Sequence, residues 1–394
     1  MAEISKHLFD VALHGEDCGY LLHPWHRGSC TLGSLMIFRD SMIGSAKFYA
    51  IVYLAQILMR GKKMTKKKEW IKMAEYYIRS WCLGWLVCGS ASTIGCLFWQ
   101  LMGRKYNYHT FIMLPNIING MAIYLEPPSR RGLVTSLFCN LVIEYWMKIA
   151  ERAGSLKITK IKLTLMFMLG SSLLFYLMRL EGDKGRRTPL FWFFTPEKVR
   201  RKDDGTSDEC PHLGPCIPHV TRGFLKLFGV GAAISLARII LPKISRPISA
   251  ISSIRPKHFK MAMFFGSYIG IYRAAICLIR RKRGFDSSLH ALPAGYLAGM
   301  SFIFNPSIGF AIAALTGAFK LYSTILYEKK ILPEHIPLPE MLYAFCQGTL
   351  FHARFMHPDV CPKYVFNLMH SVSNGHSEEL YANMMSAVKS VTSG

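Results

Sequence analysis

Residues 113–129, MLPNIINGMAIYLEPPS, and residues 291–307, ALPAGYLAGMSFIFNPS, carry Leu-Pro at the same two positions near their start and Pro-Ser at their end. The offset is 178 residues. Leu114-Pro115 returns as Leu292-Pro293, Pro128-Ser129 as Pro306-Ser307, and beyond both stretches Gly170 returns as Gly348. Shared prolines and glycines mark a repeat better than shared leucines do, because any two apolar runs are rich in leucine. The expected fold is therefore all-α, a multi-pass membrane helical bundle of two tandem related halves.

Working outward, apolar runs occupy about 32–58, 81–102, 110–126, 132–150 and 161–180, then 222–242, 259–280, 289–305, 308–327 and 339–356. Crossing the hydrocarbon core takes about 20 mostly apolar residues. The runs at 81–102, 161–180 and 259–280 meet this well. The first run carries Arg39, Asp40 and Lys47, and the last carries Glu340, His352 and Arg354, which suit an interface or a packed bundle better than lipid. The chain accordingly divides into an N-terminal membrane half at 1–180, a hydrophilic linker at 181–221 and a C-terminal membrane half at 222–394. The linker mixes Arg186, Arg187, Arg200, Arg201 and Lys202 with Asp203, Asp204, Asp208 and Glu209.

Composition agrees with a membrane protein. Of 394 residues, 51% are hydrophobic and only 18% charged, and mean hydropathy is positive at +0.22. The net charge of +24 comes from lysines and arginines in short loops between apolar runs, where they face lipid phosphates or set topology. No basic domain with interleaved aromatics stands apart, so nucleic acid is not an expected partner. The amino terminus has no apolar stretch of the secretory-signal kind, and insertion is expected to rely on internal segments.

Eleven cysteines fall into two classes. Cys82, Cys88, Cys96, Cys139, Cys277 and Cys346 lie in apolar runs and read as small buried hydrophobes. The others include two clusters, each just before the first run of a half: Cys18, His23, His26 and Cys30, then Cys210, His212, Cys216 and His219. Two thiolates with two imidazoles could complete a tetrahedral shell, so zinc is the candidate cofactor. A disulfide or redox pair, or ordinary loop residues, would use the same letters.

Gly266 with Gly270, and Gly295 with Gly299, place small residues one turn apart in consecutive runs, the spacing that lets helix backbones approach closely in lipid. Between them Arg280, Arg281, Lys282 and Arg283 form a basic cluster expected to anchor lipid phosphates. No nucleophile elbow, P-loop, dinucleotide fingerprint or His-Glu-x-x-His occurs, and no catalytic residues are expected. His109, His290 and His352, near run edges, read as structural.

Two resemblances rest on these residues. Tyr272, Arg283, Ala294-Gly295 and Gly299 resemble the signature of the translocase-channel family of the mitochondrial inner membrane over 259–327, with Ser287 in its acidic position and Asp286 beside it. A wider resemblance is to the transmembrane protein 135 family. It is carried by Cys18 to Cys30, by Arg130-Arg131-Gly132-Leu133 with Asn140 and Glu144, by Cys210 to Cys216, by Gly266-Ser267 with Ile271-Tyr272, and by Leu289-His290-Ala291 leading to Leu297-Ala298-Gly299. That resemblance implies a protein of mitochondrial or peroxisomal membranes, or both. It also implies a non-enzymatic role in lipid and energy metabolism and in the balance of mitochondrial fission and fusion, with lipids and organelle-dynamics proteins as partners. The first resemblance implies an alternative, a protein-import or lipid- or solute-conducting channel or transporter. Nothing in the sequence sets the oligomeric state.

Overall fold

The computed structural model describes residues 4–26, 28–182, 196–197, 199, 210, 212, 214–240, 255–333 and 336–393. Among them every regular element is helical. The expected linker at 181–221 lies largely outside the described residues.

The α-helices are α1 (Lys6–Ala12), α2 (Cys18–Leu21), α3 (Cys30–Arg60), α4 (Lys67–Leu101), α5 (Tyr108–Phe111), α6 (Met113–Asn119), α7 (Pro128–Arg152) and α8 (Lys160–Leu180). There follow α9 (Cys216–Ile240), α10 (Lys260–Arg283), α11 (Ala291–Gly299), α12 (Ile308–Glu328), α13 (Leu338–Met356), α14 (Lys363–Val372) and α15 (His376–Ser393). Local chemistry sets several of these ends. Ser29 caps α3 by accepting from the Leu32 N–H, and Thr159 caps α8 by accepting from that of Lys162. Pro128 opens α7, where a missing N–H costs nothing. Gly284, at φ +71°, ends α10 by donating to the Arg280 carbonyl.

Among the described residues, six helices are long and apolar enough to cross a membrane: α4, α7, α8, α9, α12, and α10 together with the short turn before it (Pro256–Arg283). The expected crossings at 110–126 and 289–305 are not continuous. Pro115 and Pro293 lack the N–H that a through-running helix needs and disfavour helical backbone at the residue before them. Both sit in the first turn of a new short helix, α6 or α11, which runs into a 3-10 turn at Gly120–Leu125 or Met300–Phe304. The run at 32–58 lies within α3 and that at 339–356 within α13, neither of which has the composition of a crossing. Their charges are used internally. Asp40 pairs with His376 at 2.9 Å, Glu340 with Arg131 at 3.3 Å, and the buried Arg354 with Glu378 at 2.7 Å.

Two compact units emerge, residues 1–149 with 336–394, and residues 150–335. This differs from a division near 181–221, and the reason is where two helices pack. In the first unit α13 covers α6 and the turn after it, with Gly348 so close that a Cβ would stand 2.8 Å from the Met113 carbonyl. In the second unit α8 covers α11 and α12, and a Cβ at Gly170 would stand 2.7 Å from the Leu315 nitrogen. Each unit has its own core. Phe9, Phe111, Leu350 and Phe355 are buried in the first; Phe167, Phe175, Ile269 and Phe302 in the second.

Candidate metal centres

The first unit gathers Cys18, His23, Cys30 and Cys96, and the second gathers Cys210, His212, Cys216 and Cys277; in each, one ligand atom per residue lies within 4.8 Å of all the others. Cys18 opens α2, and Cys30 is the first residue of α3, with its neighbour Ser29 as the cap. Cys216 likewise opens α9. A thiolate at a helix start benefits from the unpaired N–H groups there. The fourth member comes from the partner helix, since α3 packs on α4, which carries Cys96, and α9 on α10, which carries Cys277.

Within the first cluster the Sγ atoms of Cys18 and Cys30 are 3.4 Å apart. In the second, Cys210 and Cys216 are 3.3 Å apart and His212 Nε2 lies 3.2 Å from Cys277 Sγ. Thiolates on one tetrahedral ion with bonds of about 2.3 Å would stand about 3.8 Å from each other. The clusters are therefore of a size to hold one ion each. Burial pushes the Cys18 thiol up to about 12, with Cys30 and Asp17 adding to the rise. It raises Cys210 as well, against the opposing charge of Arg280. His23 fits because α3 has glycine beside it: a Cβ at Gly33 would stand 2.6 Å from the Cβ of His23.

The membership differs from expectation at two positions. His219 lies outside the gathered set; its ring stacks on that of His212 at 4.0 Å and its Nε2 faces Glu197 at 3.2 Å. His26 ends a 3-10 turn and its side chain is not among those described, while Cys96 completes the set. Cys96 and Cys277, taken from their apolar surroundings as packing residues, were the missed members. The only signal for them was a thiol near the end of a long run, more than sixty residues from its cluster.

The glycine pairs meet neighbours rather than each other. A Cβ at Gly266 would lie 3.1 Å from Phe224 and Phe228, and one at Gly270 would lie 3.5 Å from Phe224, all on α9. At Gly295 it would lie 2.9 Å from the Ser171 carbonyl, and at Gly299 2.6 Å from the Met168 Cα, both on α8. The basic cluster divides. Arg281, Lys282 and Arg283 are exposed, but Arg280 is buried with its Nε 3.7 Å from Asp286, so it is not an anchor for lipid phosphate. His352 stacks on His109 with ring centres 5.7 Å apart, and His290 lies against Phe285.

A second set of buried polar groups surrounds the broken segments. In the first unit Gln347 donates to the Asn116 carbonyl and to Asn119 Oδ1, and Asn119 donates to the Val87 carbonyl. In the second, Ser171 shares a 2.7 Å hydrogen bond with Tyr268 and Ser172 donates to the Leu292 carbonyl. Sequence reading did not single these residues out, because lone amides and hydroxyls in apolar runs carry no spacing.

Residues 16–151 match the family model for the N-terminal cysteine-rich region of Transmembrane protein 135. No solved structure matches the chain. The matched stretch contains one whole Cys/His cluster, including Cys96. Taken with the six helices among the described residues that are able to cross a membrane, this match points to a multi-pass membrane protein whose residues 16–151 are similar to the cysteine-rich region of the transmembrane protein 135 family.

Proposed function

We propose that this protein acts without enzymatic chemistry in lipid and energy homeostasis and in the mitochondrial fission and fusion balance, in mitochondrial or peroxisomal membranes or both, by passing a lipid through its helical units. The supporting observation is the pair of broken segments. At 1.5 Å per α-helical and 2.0 Å per 3-10 residue, α6 with its turn and α11 with its turn reach only about 22–24 Å, short of a hydrocarbon core of about 30 Å. Short, proline-interrupted segments at corresponding places in two halves are the best sequence pointer to a transport site. Here they recur at the 178-residue offset, and α8 and α13 also begin 178 residues apart. This supports duplication.

Polar groups inside a lipid-immersed bundle are costly and mark a pathway more often than a fold requirement. Asn116, Asn119 and Gln347 beside one broken segment, and Ser171, Ser172 and Tyr268 beside the other, are of that kind. They offer hydrogen bonds to a headgroup while apolar helices face the acyl chains. On this reading zinc is the metal of the Cys/His clusters, because soft thiolate sets with one imidazole select it.

The test is organelle lipidomics with proximity labelling in cells lacking the protein. Lipid composition of mitochondria or peroxisomes should change and be restored by the wild type but not by Asn119→Leu with Gln347→Leu. Unchanged lipids together with defective protein import would favour the channel reading instead.

A further inference from the structure

Two stretches with different spacings arrive at the same donor set. Four, six and sixty-five residues separate Cys18, His23, Cys30 and Cys96, whereas one, three and sixty separate Cys210, His212, Cys216 and Cys277. Chance burial of cysteine would not give three thiols and one imidazole twice. Nor would it place the last thiol five residues from the end of α4 in one case and six from the end of α10 in the other.

We propose that the chain binds two zinc ions, one in each unit, each in a Cys3His shell closed by a thiolate of a long membrane helix, so that one ion fastens the segment ahead of α3 to α4 and the other the segment ahead of α9 to α10. The identity of the metal rests on the zinc reading above; the lipid role is independent of it. A disulfide account uses two thiols of each cluster and leaves Cys96, Cys277 and both histidines without a reason to converge. A two-iron cluster shares its four ligands between two metals and needs a wider cage than one whose ligand atoms all lie within 4.8 Å.

Binding balances as follows. Zn2+ enters, three thiol protons leave to solvent, the neutral histidine gives its lone pair, and the filled site carries one negative charge. With an ion bound, the protein gains rigidity where loop meets membrane helix.

The experiment is metal analysis of the full-length protein purified in detergent from cells grown with zinc and never exposed to chelator. The wild type should carry two equivalents of zinc, Cys96→Ser and Cys277→Ser one each, and the double variant none. Cys139→Ser, which alters a thiol 3.6 Å from Cys346 and outside both clusters, should retain both. X-ray absorption at the zinc edge of the wild type needs no variant to fold, and should show three sulfurs at about 2.3 Å and one nitrogen at about 2.0 Å. Wild type without zinc, two equivalents kept by the double variant, Cys18–Cys30 and Cys210–Cys216 disulfides in fresh protein, or iron or copper in place of zinc would each overturn the proposal. Loss of lipid transport with both zinc ions present would count against the proposed function alone and leave the sites standing.

Discussion

Nε2 of His212 stands 3.2 Å from Sγ of Cys277, joining the segment that enters α9 to the last turns of α10. Cys216, at the first position of α9, belongs to the same group. The contact sets where these two helices start and stop relative to each other. Removing the metal should loosen that junction before it loosens the core. Hydrogen exchange after treatment with a strong chelator is expected to rise several-fold around 18–30 and 210–220, with α8 and α11 unchanged. Equal exchange with and without chelator would show that the clusters do not hold these segments.

Gly299→Leu should destabilise the second unit. A Cβ at Gly299 would already stand 2.6 Å from the Met168 Cα, backbone that cannot step aside as a flexible side chain can, and overpacking a filled contact costs about 1–3 kcal/mol. Thermal unfolding in detergent should show a lowered Tm. Gly309→Leu, which has nothing within 4 Å of an added Cβ, is the control expected to behave as wild type.

Arg179 donates twice to Asp286, at 2.6 and 2.7 Å, with both side chains almost wholly shielded from solvent. Breaking a buried pair from one side leaves an uncompensated charge and costs about 3–5 kcal/mol. Asp286→Ala should therefore be among the most damaging single changes in the second unit, because Arg280 also loses its carboxylate. Arg179→Met with Asp286→Leu, which removes both charges of the pair, should recover part of the loss, the share left belonging to Arg280. A double variant as unstable as Asp286→Ala would show that the pair is not the cause.

The helical membrane character was legible because long apolar runs and proline landmarks carry it. The Cys/His stretches were legible as candidates because their members lie close in sequence. Three things were not. Pro115 and Pro293 are landmarks of the proposed repeat, yet their missing N–H groups also break the segments they mark, which run length alone hides. Cys96 and Cys277 looked like packing residues, since only the pairing of α3 with α4 and of α9 with α10 brings them to their clusters. The unit boundary followed neither charge nor linker, because Gly170 and Gly348 let α8 and α13 settle against elements that chain order does not suggest.

Gln347 is fully buried and makes two hydrogen bonds to the segment of α6, at 2.9 and 2.7 Å. If its amide serves only folding, Gln347→Leu should lower stability by about 1–3 kcal/mol, the cost of leaving buried partners unsatisfied. If it also meets a lipid headgroup, activity should fall well beyond that. Gln347→Leu together with Asn119→Leu removes both ends of one hydrogen bond and should restore part of the stability without restoring activity. Recovery of both together would reduce the amides to a structural role.

The most direct measurement is movement of a fluorescent phospholipid between the leaflets of liposomes containing the purified full-length protein. The wild type should accelerate it at least about tenfold over protein-free liposomes, a difference of about 1.4 kcal/mol in barrier height. Folded Asn119→Leu with Gln347→Leu should lose that acceleration. Movement no faster than in empty liposomes, or undiminished in the double variant, would contradict passage of lipid along the broken segments.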